Sequence, residues 1–336
     1  MIRWLRIYVL PGAILQSVNI AGGYGTGREL VEFFTRHGIG NGLAGMILAT
    51  SLMAAVFAVS LALAQQFAAY DYRSFFRILL GRAWFLFEML AVVLFILVLA
   101  VMGAAAGEIL SREVGLPAGL GGALLLVAVV TLNFFGREWV TRILAGWSAF
   151  LYLVFIAYFA TVVIRSGPLP AGAFDWQLEG SWVLSAFQYA LYNVAAVPVI
   201  LYAARAIETR RQALLSGLAG GVITMLPAAM FHLSFVGAWP GIVAEPLPVY
   251  AMFERLSVPL LHGLYLVVLF GTFVETGAGN IQGLIERLDG WWRERRGQEL
   301  SRWAHAAVAA VALIASSVLS VVGVVDLIAG GYGRIA

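Results

Sequence analysis

The residues most able to do chemistry lie inside apolar stretches. Between Asn19 and Glu29 the chain reads NIAGGYGTGRE, with Gly22, Gly23, Gly25 and Gly27 crowded together around Tyr24 and Thr26. Each interior glycine costs a helix about 1 kcal/mol relative to alanine, so this run predicts an unwound turn whose backbone must line a buried or watered cavity. The alternative is a small-xxx-small packing surface through Gly23 and Gly27. Arg28, Glu29 and Glu32 follow at once, and charge at this depth reads as function: a gate, or an Arg28–Glu32 pair that neutralises itself at the surface. A second irregularity is FQYALYNVAAVPV, where Pro198 removes a backbone donor just after Asn193. Tyr189 and Asn193 share one helix face there, as do Gln188 and Tyr192. A third is the stripe Thr272, Glu275, Thr276, Gly279 and Gln282 on one helix face. Glu275 lies about 18 Å along the helix from Arg287 (~1.5 Å per residue). It either binds a cation or takes a proton, or it is a neutral acid satisfied by a neighbouring hydroxyl.

What is absent narrows the chemistry. The 336 residues include no Cys and no Lys, all 21 basic residues being Arg. That excludes thiol catalysis, disulfides, Schiff bases and a Walker-type lysine. The four His (His37, His232, His262, His305) sit singly in different segments, without metal-ligand spacing. No cofactor, no metal beyond a possible Na⁺, and no enzyme chemistry are expected.

The elements that must position these residues are membrane spans. The chain is 62% hydrophobic and 12% charged, with a mean hydropathy of +0.91, far from the balance of soluble domains. That composition excludes a soluble enzyme or a nucleic-acid binder and makes the lipid bilayer the first partner. Nine spans are predicted: Ile7–Phe34, Leu43–Ala64, Trp84–Ala106, Pro117–Phe135, Ile143–Ile164, Trp182–Ala203, Ala213–Val236, Val258–Leu284 and Ala304–Val322, followed by an apolar remnant, Val324–Ala336. Only Arg36, Arg112, Arg165, Arg255 and Arg334 fall in one set of connecting segments and Arg28 within a span. The remaining arginines share the side of the N-terminus, which the positive-inside rule makes cytoplasmic. The expected location is the cytoplasmic (inner) membrane. Residues 71–82 read as an interfacial helix on the cytoplasmic leaflet, residues 237–257 as an outer cap loop, and Gly103–Gly107 as helix packing.

The broken first and sixth spans head two five-span halves, 1–165 and 181–336. An odd number of spans per half makes the halves antiparallel, so the sequence predicts an inverted repeat with a binding site near the midplane. The local motifs carry a resemblance as well. AGGYGTGRELVEFF (Ala21–Phe34) resembles the GAGFASGQE-type first-span motif of YkvI-type bacterial membrane proteins, and AFQYALYN (Ala186–Asn193) their sixth-span pattern. ETGAG (Glu275–Gly279) is similar to their TTGVG-like eighth-span element, and IAGGYG (Ile328–Gly333) to an IAKGYG-like segment after the ninth.

That family is similar to the amino acid–polyamine–organocation superfamily, so the resemblance implies an all-α polytopic protein of LeuT-like fold. It implies that Gly22–Gly27 and Tyr189–Asn193 line a substrate site. It also implies that Thr276 and its neighbours sit where related transporters hold sodium, between the first and eighth spans. Glu275 stands where the pattern has a hydroxyl residue, which favours a proton over sodium, and Arg28 where it has a neutral Gln. The pattern continues into a tenth span that is missing or truncated in a chain stopping at Ala336.

The resulting expectation is a secondary transporter of a small organic solute, an amino acid or related amine, working by alternating access. A half-helix starting near Thr26 points its positive end at an anionic substrate group. Ala21, Thr272, Glu275 and Thr276 hold Na⁺ or H⁺, Tyr24 joins Tyr189 and Asn193 in shaping specificity, and Arg28, Glu29 and Glu32 form a gate. The alternative is a membrane sensor or assembly subunit that kept the fold without transporting. A homo-oligomer is compatible with either.

Overall fold

The computed structural model describes residues 3–22, 24–135, 137–165, 172, 174–175, 180–298 and 300–332, with backbone alone for residues 17, 21–22, 24, 132–135, 137–149, 202, 286, 294 and 302. Among the described residues every regular element is helical. A π-helical turn, Leu5–Val9, leads into α1 (Leu10–Gly22), and a 3₁₀ turn, Tyr24–Thr26, into α2 (Arg28–Phe33). Then come α3 (Ile39–Phe67), α4 (Tyr72–Leu80), α5 (Trp84–Val114), α6 (Ala118–Phe135) and α7 (Arg137–Arg165). The second half holds α8 (Trp182–Val194), α9 (Val197–Ile200), α10 (Arg210–Ser234), α11 (Pro248–Leu256), α12 (Pro259–Arg296), α13 (Arg302–Ser320) and α14 (Val324–Asp326), ending in a π-helical turn, Leu327–Tyr332.

Segments Ile39–Phe67, Tyr72–Val114, Arg210–Ala238, Pro259–Arg293 and Trp303–Ser320 are long and apolar enough to cross a membrane. The pair Trp182–Val194 and Val197–Ala206, bent by 48°, makes a further broken span, and Leu5–Ile20, Ala118–Thr131 and Phe150–Arg165 are shorter apolar helices. Among the described residues, then, six of the predicted spans reach crossing length if the bent pair counts as one, and three are represented by shorter helices. Their outward faces are apolar. Leu215, Leu218, Val222 and Leu226 form an exposed stripe on α10, and Val311, Ile314 and Val318 another on α13. Helices dressed this way are solvated by lipid rather than water. This is a multi-pass membrane protein.

The chain forms two compact units, each drawing helices from both sequence halves. The first comprises Met1–Met89, Ala157–Val258 and Tyr332–Ala336, and the second Leu90–Ile156 and Pro259–Gly331. In the first, α10 packs on α3 through glycines that admit no side chain. A Cβ on Gly217 would lie 2.2 Å from the Ala58 backbone, and one on Gly221 2.6 Å from Ala54 Cβ. Gly12 brings α1 against Gly220 in the same way, at 2.9 Å. Lipid tails are as apolar as leucine, so such close backbone approach, rather than a hydrophobic gain, holds spans together.

In the same unit α4 folds back on the start of α5. Asp71 caps α4 by accepting the Ser74 N–H at 2.9 Å, Phe76 stacks on Phe87 at 3.6 Å, and Arg77 lies over the Trp84 ring at 4.8 Å. In the second unit, Leu99, Leu126, Val129, Ile281, Ile285 and Ala309 make the core between α5, α6, α12 and α13. There a Cβ on Gly107 would lie 2.2 Å from the Ala118 carbonyl, and one on Gly122 2.5 Å from that of Gly103, so the Gly103–Gly107 stretch serves helix packing.

Gly217→Ala should therefore force α10 off α3 and lower stability by about 1–3 kcal/mol, read as thermal denaturation in detergent. Gly237→Ala, whose Cβ would meet nothing within 4 Å, should leave the transition unmoved. The cap gives a pH-dependent outcome. Partial burial raises the Asp71 pKa, but hydrogen bonds from the Ser74 and Arg73 backbones and the Ser74 hydroxyl outweigh it and hold the carboxyl below its ordinary value. A depressed folded pKa contributes stability that is present above the unfolded value and lost as pH falls. Asp71→Ala should cost about 1 kcal/mol at neutral pH, and the gap to wild type should close below about pH 4.

Candidate functional site

The first span breaks where the glycines are. α1 ends at Gly22, Gly23 lies outside the described residues, and the Tyr24–Thr26 turn reaches Gly27, which takes a left-handed φ of 82°. Only glycine fits there twice over, since a Cβ would sit 2.8 Å from Val249 Cγ2 and 2.9 Å from the Phe235 ring. Gly25, Thr26 and Gly27 are buried, and Thr26 Oγ1 accepts the Arg28 N–H at 3.3 Å. The Tyr24 side chain, like those of Ala21 and Gly22, lies outside the described part of the molecule.

All six residues of α2 are buried, charged ones included. Arg28 donates from Nη2 to Glu32 Oε2 at 2.8 Å, and from Nη1 to the carbonyls of Val243 at 2.9 Å and Glu245 at 3.1 Å. Glu32 also pairs with Arg36. The pair thus does not snorkel outwards. It ties α2 to the 3₁₀ turn Gly241–Ala244, inside the stretch read from sequence as a cap loop. Beyond α2, His232 on α10 meets the Thr35 hydroxyl at 2.8 Å through Nδ1 and the Ile39 carbonyl at 3.0 Å through Nε2. His37 meets Ser185 Oγ at 2.9 Å, and burial together with Arg36 lowers its pKa below the ordinary value, against the pull of Glu32.

Glu29 faces another way. It is 1% exposed, and its Oε2 accepts a hydrogen bond from the Tyr192 hydroxyl. Rings close around that hydroxyl. Tyr192 stacks on Tyr332 at 4.9 Å, and Phe33 lies 5.7 Å from both Tyr189 and Tyr192. Tyr189 meets Tyr192 edge-on at 5.4 Å. The first turn of α2 therefore carries a carboxyl group of the protein itself.

The sixth span breaks opposite this group. After α8, Ala195 and Ala196 donate to the Tyr192 and Asn193 carbonyls at 3.2 and 3.0 Å, a tightened last turn. Pro198 then falls at the start of α9, where its missing N–H is tolerated, rather than inside a helix. Asn193 is buried and its Nδ2 donates back to the Tyr189 carbonyl at 2.8 Å.

The structure thus gathers Gly25, Thr26, Gly27, Arg28, Glu29, Glu32, Tyr189 and Asn193 in the first unit. Thr272, Glu275 and Thr276 belong to α12 in the second. Thr272 is buried and donates to the Val268 carbonyl at 2.5 Å, while Glu275 and Thr276 are half-buried. The described residues contain no group of three or more His, Asp or Glu able to hold a metal.

Sequence spacing missed Tyr192 and Tyr332 as partners of Glu29, although the i,i+3 step from Tyr189 to Tyr192 offered a signal. It also missed Gln16 and Asn19 on α1, both buried with amide nitrogens that lack a partner among the described residues. Two amides one turn apart in an apolar span were the available clue.

No protein-family profile matches the chain. It is similar to the uncharacterized membrane protein YkvI of Bacillus subtilis (strain 168), 24% identical over 277 residues, which are 79% of this chain and 76% of that protein. Among solved structures it resembles MhsT, crystallised in complex with L-phenylalanine, with a TM-score of 0.56 at 14% identity, over 94% of this chain and 79% of that one. The chain has a LeuT-like fold. Both similarities agree with the resemblance carried by the first-span, sixth-span and eighth-span motifs, and with the all-α polytopic class.

Arg28→Met should leave Glu32 with Arg36 alone and the Val243 and Glu245 carbonyls without their donor, costing about 1–3 kcal/mol as expected for buried acceptors left unsatisfied. It should also open residues 237–257 to limited proteolysis. Arg36→Met, whose side chain is 46% exposed, should cost at most about 1 kcal/mol.

Proposed function

We propose that this protein is a secondary active transporter that moves a small organic solute, an amino acid or related amine, by alternating access, driven by Na⁺ or H⁺. The observation that carries the reading is the pair of interrupted helices within one unit, α1/α2 at Gly22–Gly27 and α8/α9 at Ala195–Ala196. Interrupted spans free backbone donors and acceptors in a medium without water, and such groups are retained where they bind something.

In this reading Gly25, Thr26 and Gly27 present backbone to the solute, and Gly22, Gly23 and Tyr24 are further candidates for contact with it. Tyr189 and Asn193 supply the facing wall and its selectivity. Arg28, Glu29 and Glu32 act as the gate, its closed form fastened by Arg28 to Val243 and Glu245. Ala21 and the α12 residues Thr272, Glu275 and Thr276 are the candidates for handling the coupling ion. In this reading the protein works by binding and release.

Uptake by proteoliposomes of a labelled panel of amino acids and amines, with and without Na⁺ and at two pH values, tests this. Asn193→Ala and Glu275→Gln should each reduce solute uptake by more than about tenfold, equivalent to ~1.4 kcal/mol, at equal folding. Near wild-type uptake by both variants would refute the assignment.

A further inference from the structure

Glu29 carries a consequence beyond a gate. It is the most buried charged residue of α2, and Oε1 has no hydrogen-bond partner among the described residues while Oε2 has the Tyr192 hydroxyl. The neighbouring cation does not neutralise it, because the Arg28 guanidinium is committed to Glu32, Val243 and Glu245.

Nor do other groups around α2. Glu32 pairs with both Arg28 and Arg36. His37 bonds Ser185, and His232 on α10 is held between Thr35 and Ile39. On the 241–256 stretch Glu245 meets Arg28 through its carbonyl, and Glu254 and Arg255 are exposed. What faces Glu29 from α8 and from the terminal π-helical turn is tyrosine: Tyr189, Tyr192 and Tyr332. Their rings pack on one another at ordinary aromatic contact distances, so they cover the carboxyl instead of framing an open cage for a cation.

A lone carboxylate in such surroundings is far costlier than a neutral acid with one unpaired O–H. We propose that Glu29 is a proton-binding site of this protein, carrying its proton while α2 is packed against α8 and Tyr332 and giving it to water when that contact opens. The step is a simple transfer: the Oε1–H bond breaks, the pair stays on the carboxylate, and a water accepts the proton. The link from this proton to solute movement rests on the transporter reading, but the protonation itself does not.

Infrared spectroscopy of the purified full chain in detergent, without solute, reads it directly. Wild type at neutral pH should show the carbonyl stretch of a protonated carboxylic acid. The band should vanish in Glu29→Gln, an isosteric neutral replacement, persist in Glu275→Gln, and move to higher frequency in Tyr192→Phe, which removes the hydrogen bond Glu29 accepts. A wild-type spectrum without the band, or a band that survives Glu29→Gln, overturns the proposal. A band that obeys these expectations in a protein moving no member of the amino acid and amine panel leaves the proton site standing and removes the transporter. Panel uptake with a band insensitive to Glu29→Gln does the reverse.

Discussion

Everything in this molecule depends on one constraint: inside lipid, each backbone N–H and C=O must find a partner in the protein. Continuous helices meet it automatically, and α3 and α12 do so along their length. The first span does not. Its glycine run abandons helical pairing for a 3₁₀ turn and one left-handed residue, and the interruption survives because Val249 and Phe235 close directly over Gly27. The sixth span ends its first segment with a tightened turn and restarts at a proline. Both breaks lie in one packed unit, braced by α10 and α3 at glycine–alanine contact.

Charge follows the same logic. Arg28, Glu29 and Glu32 lie within one helical turn of each other and all are buried, yet they solve burial differently. Arg28 and Glu32 neutralise one another, and Arg28 Nη1 also donates to the Val243 and Glu245 carbonyls. Glu29, rotated to the α8 side, meets only a phenol hydroxyl. One helical turn thus separates a structural ion pair from a group that has no counter-charge among the described residues. The first is suited to fasten the 241–245 segment, the second to change its protonation with packing.

Much of this was legible in the chain itself. Apolar block length placed the spans, because bilayer thickness sets it. The glycine run and Pro198 marked the two interruptions, because backbone sterics are local. Arg28 and Glu32 were recognisable as a pair from their i,i+4 step. What was not legible depends on chain segments far apart in sequence. Nothing near Arg28 foretells the carbonyls of Val243 and Glu245, and nothing near Glu29 foretells Tyr332. Nor does sequence spacing foretell that the Asn193 amide turns back on the Tyr189 carbonyl. The two compact units, each built from both halves, are likewise a matter of packing that no local pattern records.

The central claim is that the interrupted first span is a place water and solute reach, although Thr26 is 3% exposed in the packed state. Because the chain has no cysteine of its own, the rate at which a hydrophilic, membrane-impermeant thiol reagent modifies Thr26→Cys in proteoliposomes measures this directly. The account predicts measurable modification that slows when a transported solute is added, against none at the lipid-facing control Leu226→Cys. A Thr26→Cys protein as inert as that control, with solute or without, would contradict it.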